Sequence, residues 1–225
     1  RERILWGTVF EKPEKADAMI TGYSHAYPKA IRPVLEIIKK EEGVRRVAAA
    51  SIMFGKQGPL FLSDATININ PTAEELANIA LLTARAVKFF GLEPSVAMLS
   101  YSSFGSAVSE SSLKGREAVA YLHKNHPDLV VDGEIQADFA LNPDKIAKNY
   151  PFSKLNNGKA ANVLIFPNLE AANISYKLLK ETEHLDTIGP VILGLTKPIH
   201  VATLGSTVDE MVNLATLAVI QAQSE

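Results

Sequence analysis

Four polar segments of this sequence contain residue types that could do chemistry. The first is a hydroxyl-rich loop at residues 100–106, which includes Ser102, Ser103, Gly105 and Ser106 and follows an apolar run. Backbone N–H groups and hydroxyls in such a loop can hold an anion. Ligands of open α/β sheets bind beyond the carboxyl ends of strands. The loop therefore indicates an anion site, and an ordinary polar loop is the alternative.

The second segment, residues 132–138, carries Asp132, Glu134 and Asp138 where a predicted strand ends. Clustered carboxylates can hold a divalent cation or transfer a proton. The alternative is a turn followed by a helix N-terminus, where the helix dipole favours acidic side chains. Both interpretations remain open at this point.

The other two segments stand next to predicted helices. Residues 197–207 end in Gly205, Ser206 and Thr207, a turn that offers N–H groups to phosphate at a helix N-terminus. Simple N-capping by Thr207 is the alternative, and the two are compatible because they use the same N–H groups. Residues 64–71 lead from a strand into a helix and indicate only a turn.

The elements that would position these segments alternate between β-rich and helical patterns. This alternation predicts an α/β fold with a mainly parallel sheet. The clearest helix is predicted at residues 72–90, where Thr72 and Glu75 fit a capping box and Gly91 fits the C′ position. Thr207 and Glu210 repeat the capping-box spacing before the last helix. Strands are predicted at residues 18–21, 44–54, 59–63, 95–100, 129–132, 162–166 and 187–193.

Composition excludes several classes of function. The 225 residues are 47% hydrophobic with a net charge of -2, which suits a large core and gives no basic surface for nucleic acid. No apolar run is long enough for a membrane span. The chain has no cysteine, which removes thiolate chemistry and disulfides and fits a reducing cytoplasm. The first residue is not Met, so we expect a piece of a longer chain.

Most standard motifs are absent from the sequence. It contains no Gly-rich dinucleotide fingerprint, no P-loop and no His-Glu-x-x-His zinc site. The histidines have no metal-ligand spacing, and we expect no metal site; they are His25, His123, His126, His184 and His200.

The four segments, in their order, resemble phosphate acetyltransferases from about residue 16 to residue 223. The resemblance is carried by ADAMITG at 16–22, IRP at 31–33, VAMLSYS at 96–102, VDGE at 131–134, NVLIFP at 162–167 and IGP at 188–190. Other stretches look more like the domain fused behind the catalytic region of bacterial NADP-dependent malic enzymes. They are ADFALNP at 137–143, YPFS at 150–153, AANI at 171–174 and KPIHV at 197–201.

This resemblance implies a three-layer α/β/α fold of the isocitrate/isopropylmalate dehydrogenase type, with two lobes and a cleft. It places the malic-enzyme catalytic and NAD(P)-binding domains upstream of this sequence, together with NADP and a divalent metal. For residues 1–225 it implies one phosphate acetyltransferase-like domain with no cofactor of its own.

The resemblance also assigns roles residue by residue. The family has a Ser-Arg pair followed by an acid before its last helix, and the matching residues here are Thr203, Leu204 and Glu210. A family arginine is retained as Arg32, whereas the family's cysteine position is Ala65. Leucine cannot bind phosphate, and loss of a charge-assisted contact in a dry site slows a reaction about a hundredfold or more. We therefore expect acetyltransferase activity to be absent or very low.

The resulting hypothesis is a regulatory and oligomerisation domain of a malic enzyme. It would bind acetyl-CoA as an allosteric effector near Arg32, near Ser102, Ser103, Gly105 and Ser106, and near Thr203, Gly205 and Ser206, and it would form a homodimer. A surface salt bridge is the alternative role for Arg32. Two other functions remain open: an active phosphate acetyltransferase with a donor replacing Leu204, and a purely structural dimerisation module using apolar helices such as residues 213–221.

Overall fold

A six-stranded mixed sheet forms the centre of the molecule. The computed structural model describes residues 16–23 and 26–224, so His25 lies outside the described residues. The sheet order is β5-β4-β6-β3-β2-β7. Strands β3, β6, β4 and β5 run parallel, whereas β2 is antiparallel to both β3 and β7. These strands are β2 (Ala48–Gly55), β3 (Gly58–Ser63), β4 (Ser95–Leu99), β5 (Val130–Ile135), β6 (Val163–Ile165) and β7 (Asp186–Leu193).

Helices cover both faces of this sheet, which gives the three α/β/α layers that the resemblance implies. Phe61, Val96 and Met98 belong to one core, together with residues of three helices: α2 (Ala73–Phe89), α3 (Glu110–Asn125) and α7 (Val208–Gln223). Leu62 and Ile135 belong to the core of the opposite face. That core also contains residues of α4 (Ala137–Ala140), α5 (Pro143–Asn149) and α6 (Leu169–Glu183).

A smaller two-stranded sheet stands apart from the main one. It pairs β1 (Met19–Gly22) in parallel with β8 (Ile199–Ala202). Helix α1 (Tyr27–Ile37) packs on it, and a third core joins Ile31 and Val34 to Ile199 and Val201. The two-lobed arrangement of the dehydrogenase type stays a prediction.

The capping signals predicted from sequence are confirmed in two helices. Thr72 Oγ1 accepts a hydrogen bond from Glu75 N at 3.2 Å, and Glu75 Oε2 accepts one from Thr72 N at 2.9 Å. Gly91 follows α2 with a φ of +72°, the left-handed conformation expected at C′. Thr207 and Glu210 form the same reciprocal bonds at the start of α7.

The predicted mainly parallel sheet is confirmed in a coarser form, since the main sheet is mixed and β2 runs opposite to the other five strands. Two other sequence predictions about the sheet are corrected. The segment after residue 195 contains a strand, β8, that was not predicted. Strand β5 continues to Ile135, so Asp132 and Glu134 lie within the strand, whereas Asp138 follows its end. A Cβ on Gly133 would lie 2.6 Å from Met98 O, so only glycine fits within this strand.

Among the described residues, no helix combines the length and the apolar character needed to span a membrane.

Candidate ligand-binding site

The parallel strands end at one edge of the sheet, which is the usual position of a ligand site in an α/β fold. We call it the exit edge, and it is formed by the segments that follow β3, β4, β5 and β6. Its polar groups come from the residue 64–70 segment, the residue 100–106 loop and the start of α3.

The residue 100–106 loop is held in place by a buried carboxylate, Glu134. Glu134 Oε1 accepts hydrogen bonds from Ser102 Oγ at 2.9 Å and from Gly105 N at 2.7 Å. Ser103 Oγ accepts one from Gln136 N at 3.0 Å. Ser102 and Ser103 are buried, whereas Gly105 is exposed. Two of the predicted ligand-binding serines therefore use their hydroxyls within the protein.

The Glu134 side chain has no solvent exposure and is paired with Arg116 of α3. Arg116 Nε lies 3.1 Å from Glu134 Oε2, and the arginine side chain is 42% exposed. Burial raises the pKa of Glu134, but the bonds from Arg116, Gly105 and Ser102 outweigh it and leave the pKa below its ordinary value. Glu134 is thus an ionised carboxylate that organises the loop, rather than a proton donor at neutral pH.

The other two carboxylates of the acidic segment lie apart from Glu134 and have their own partners. Asp132 accepts bonds from Ser153 Oγ and Lys154 N, each at 2.8 Å. Asp138 forms an exposed ion pair with Lys145 at 2.7 Å. Within the described ranges, no three histidine, aspartate or glutamate side chains come together to hold a metal ion. The three carboxylates of the acidic segment therefore each form a separate structural contact, and they do not form a cluster.

The segment after β3 contains a second buried carboxylate, Asp64. It accepts bonds from Thr66 N at 2.8 Å, Ile67 N at 2.9 Å and Asn68 Nδ2 at 2.5 Å. Burial raises the pKa of Asp64, although these hydrogen bonds act to lower it. Across the described residues, the buried side-chain atoms without a partner are Tyr27 Oη and Asn68 Oδ1. Tyr27, the first residue of α1, packs with Ile67 against the same core, and its pKa is raised by burial and by the charge of Asp64.

A lysine links two of the exit segments. Lys114 Nζ donates to Asn70 Oδ1 after β3 and to Pro167 O after β6, each at 2.8 Å. Burial lowers the pKa of Lys114, although the negative charges of Glu110 and Glu75 act to raise it. Both bonded acceptors are uncharged, so this cation retains the capacity to attract an anion at the exit edge.

The turn before α7 has different partners. Thr203 N donates to Ser206 Oγ at 3.0 Å, and Leu204 is 65% exposed. Glu210 Oε1 accepts bonds from Lys180 Nζ and Thr187 Oγ1, each at 2.6 Å. Burial raises the pKa of Glu210, but these partners lower it overall. Glu210 is therefore ionised and bound to a cation.

The structure does not bring the turn before α7 and the residue 100–106 loop together. Thr187, which holds Glu210, pairs with Met53 near the start of β7. Strand β7 runs parallel to β3 because both are antiparallel to β2, so Thr187 lies toward the edge opposite the exit edge. Strands β7 and β4 are also four strand spacings apart, roughly 19 Å.

Arg32 lies on the outer face of α1. Its Nε bonds Glu36 Oε1 at 3.0 Å, and its side chain is 76% exposed. This contact is the surface salt bridge that was given above as the alternative role of Arg32. The predicted ligand residues therefore occupy three places: the outside of α1, the exit edge and the turn before α7.

Sequence reasoning missed Lys114, Arg116 and Lys180. A signal for the first two was present, since Gly115 interrupts a helix at a cost of roughly 1 kcal/mol relative to alanine. A Cβ at Gly115 would lie 3.4 Å from Glu134 Cβ and from Met98, so the glycine allows α3 to approach the sheet closely. Its neighbours Lys114 and Arg116 are thereby brought near the exit edge. No comparable signal marks Lys180.

Residues 1–219 match the model of the phosphate acetyl/butaryl transferase family, and the chain belongs to that family. A phosphotransacetylase structure from Streptococcus pyogenes superposes with a TM-score of 0.89 at 36% identity, covering 98% of this chain and 67% of that one.

Two groups of relatives are similar to the chain in nearly equal measure. The NADP-dependent malic enzyme of Haemophilus influenzae is 39% identical over 210 residues, which are 93% of this chain and 28% of the enzyme. The phosphate acetyltransferase of Clostridium acetobutylicum is 38% identical over 230 residues, which are 99% of this chain and 68% of that protein. The chain thus spans about a quarter of the first and two thirds of the second.

Proposed function

We propose that this domain regulates and assembles an NADP-dependent malic enzyme, binds acetyl-CoA and does not transfer acetyl groups at a useful rate. The similarity to the H. influenzae malic enzyme supports the first part. Malic enzyme produces pyruvate, a precursor of acetyl-CoA, so an acetyl-CoA site would give feedback. A ligand that binds two assembly states unequally shifts activity without touching the catalytic site.

The observation that carries the proposal is Leu204. It occupies the position of the family's phosphate-binding arginine, and its exposed apolar side chain offers no donor. The nearby cation Lys180 is bound to Glu210. Transfer of an acetyl group between phosphate and CoA needs positive charge or donors for the phosphate and for the developing oxyanion. The turn therefore lacks the contact on which the chemistry of the family depends.

The second candidate is an active phosphate acetyltransferase. It is favoured by the C. acetobutylicum relative, which is as similar as the malic enzymes. It is also favoured by Thr203, which keeps a hydroxyl, and by the Lys180–Glu210 pair, which brings a cation close to the start of α7.

Titration calorimetry with acetyl-CoA tests the proposal. We expect saturable binding, and no acetyl phosphate when inorganic phosphate is then added. Replacement of Arg32 with alanine should weaken the binding. Unchanged affinity of this variant would remove Arg32 from the site. Absence of binding to the unsubstituted chain would favour the purely structural function. Acetyl phosphate formed at rates typical of the family would establish the second candidate.

Restoring the arginine tests the role of Leu204 directly. Because Leu204 is exposed, Leu204→Arg should fold normally and should raise the rate of acetyl phosphate formation by at least about tenfold. Leu204→Lys is the matched control, since it adds the same charge without the bidentate geometry and should gain less. Equal rates for the parent and both variants would show that Leu204 does not limit the reaction.

A further inference from the structure

A cavity of about 260 Å³ lies on the face of the main sheet that α2 covers. Its floor is apolar and buried, and it includes Ile52, Phe61 and Val191. One wall is formed by residues of α2 that are three or four positions apart and therefore share a helix face, among them Leu82, Ala86 and Phe89. The described residues that line the cavity include none from the exit edge or from the turn before α7, so this is a separate site.

The charged side chains that line the cavity give it an excess of positive charge. Arg85 Nη2 bonds Glu41 Oε2 at 2.5 Å, and both residues line the cavity. Lys197 supplies a second positive charge. Two cations and one carboxylate leave one net positive charge beside apolar walls, and such walls concentrate the field of a charge. The cavity therefore favours an anion over a neutral or cationic ligand.

The remaining polar side chain of the lining, Gln221 of α7, is oriented by the buried His200. Ile192 N donates to His200 Nδ1 at 3.3 Å, so Nδ1 is an acceptor and the proton of the neutral ring is on Nε2. His200 Nε2 then donates to Gln221 Oε1 at 2.7 Å. Burial lowers the pKa of His200 to about 4, which keeps the ring neutral at pH 7. The histidine thus fixes which way the Gln221 amide faces.

This orientation makes the Gln221 amide nitrogen a donor that is available to a ligand. The side chain is half-buried and lines the cavity, with its oxygen engaged by His200. Within the part of the chain that the structure describes, neither N–H of Nε2 has an acceptor. A ligand oxygen would satisfy them, and hydrogen bonds to an ionised acceptor are about twice as strong as those to a neutral one. The amide and the net positive charge therefore select the same chemical group, a carboxylate.

We propose that this cavity binds a small amphipathic carboxylate, with its apolar body on the sheet and its carboxylate beside Gln221, Arg85 and Lys197. The site goes beyond the function proposed above, since nothing in it depends on acetyl-CoA. Pockets for drug-sized ligands measure about 300–1,000 Å³, so this cavity suits a smaller molecule. One water takes up about 30 Å³ of liquid, which gives room for roughly nine non-hydrogen atoms. A short-chain carboxylate has that size, whereas a CoA ester does not.

Hexanoate is the probe for this site, and hexanamide is its uncharged counterpart of the same size. Both are titrated into the full chain at pH 7 and followed by nuclear magnetic resonance. We expect saturable binding of hexanoate, at least about tenfold tighter than that of hexanamide. Equal affinities would contradict recognition of a carboxylate, and absence of saturable hexanoate binding would overturn the proposal. Neither result depends on whether the chain binds acetyl-CoA.

The role of the Gln221 amide is tested by Gln221→Glu. This variant keeps an oxygen that accepts from His200 and replaces the donor nitrogen with a second oxygen. Hexanoate should bind at least about tenfold more weakly, because two carboxylates would meet. Hexanamide can donate to the new carboxylate and should bind at least as well as before, so the preference between the two probes should reverse. An unchanged preference for hexanoate would show that the amide does not contact the ligand.

A second pair of variants tests the location without touching Gln221 or His200. Ala86 is half-buried on the cavity wall, so Ala86→Leu should fill the space and reduce hexanoate affinity at least about tenfold. Ala120→Leu is the matched control, since it makes the same change at an exposed position of α3 that does not line the cavity, and it should bind hexanoate normally. Equal affinities of the two variants would place hexanoate outside the cavity and overturn the proposal.

Discussion

The residue 100–106 loop and the turn before α7 have similar sequences but opposite relations to solvent. Each combines hydroxyl side chains with a glycine and follows a strand. In the first, Ser102 and Ser103 are buried and the loop closes around Glu134. In the second, Leu204 and Gly205 are exposed, and the carboxylate of Glu210 lies behind the turn on Lys180.

This difference shows that a hydroxyl-rich loop pattern does not tell which way the hydroxyls point. A buried carboxylate such as Glu134 must be compensated by several donors, and those donors are the loop's own groups. The turn before α7 also adjoins a mostly buried carboxylate, but Lys180 and Thr187 supply donors to Glu210 from outside the turn, and Leu204 and Gly205 stay exposed. The first region is thus organised by the loop's own donors, whereas the second depends on donors from α6 and β7.

The largest expected effect concerns His200, which lies on β8 just before the exposed turn. Its Nε2 lies 2.7 Å from Gln221 Oε1, and Ile192 N donates to Nδ1 at 3.3 Å. Burial lowers the pKa of His200 from 6.5 to about 4. Between these values the unfolded chain binds a proton that the folded chain does not. Stability should therefore fall as the pH drops from about 6.5 to 4, by roughly 3 kcal/mol in all.

Urea unfolding at pH 7 and pH 5 measures this effect. The histidine accounts for about 2 kcal/mol of the loss over that interval. The matched variant is His200→Gln, which cannot take up the proton and should show a correspondingly smaller loss. If both chains lose the same stability on acidification, His200 is not the titrating group.

The next largest effect on stability is expected for the buried hydrogen-bond network around Glu134. Glu134→Gln removes the charge that binds Ser102, Gly105 and Arg116, and should lower the free energy of unfolding by roughly 2 kcal/mol. The residue 100–106 loop should also become more accessible to proteases. The midpoint of urea unfolding and limited proteolysis provide the two measurements.

Asp138→Asn is the control for this prediction. Asp138 belongs to the same sequence segment, but its pair with Lys145 is exposed, so its loss should leave the urea midpoint unchanged. A larger effect for Asp138→Asn than for Glu134→Gln would reverse the contrast between buried and exposed carboxylates.

Much of the fold follows from local signals in the sequence. Thr72, Glu75 and Gly91 fix the ends of α2 through caps that need no distant partner. The alternation of strands and helices also predicts the α/β class correctly. The extension of β5 was missed because two carboxylates in a buried strand violate the apolar pattern, and only long-range partners such as Arg116 and Ser153 compensate for them.

The site was less predictable than the fold because it too depends on long-range contacts. The order and direction of the strands decide which residues come together, and local sequence patterns predict neither. The family resemblance groups the residue 100–106 loop with the turn before α7, but Glu210 of α7 bonds Thr187 near the start of β7, away from the exit edge. Lys114 and Arg116 lie in an ordinary helical stretch and gain their role from Gly115.

The smallest expected effect separates a helix cap from a ligand site at the exposed turn. Thr207→Ala and Thr72→Ala remove the same capping bond from α7 and α2, and each should cost about 1 kcal/mol of stability in urea unfolding. If Thr207 serves only as a cap, neither substitution changes acetyl-CoA binding. If the N–H groups of the turn also hold the ligand, Thr207→Ala should weaken binding a fewfold, whereas Thr72→Ala should leave it unchanged. Equal weakening by both variants would trace the effect to general destabilisation and remove the turn from the site.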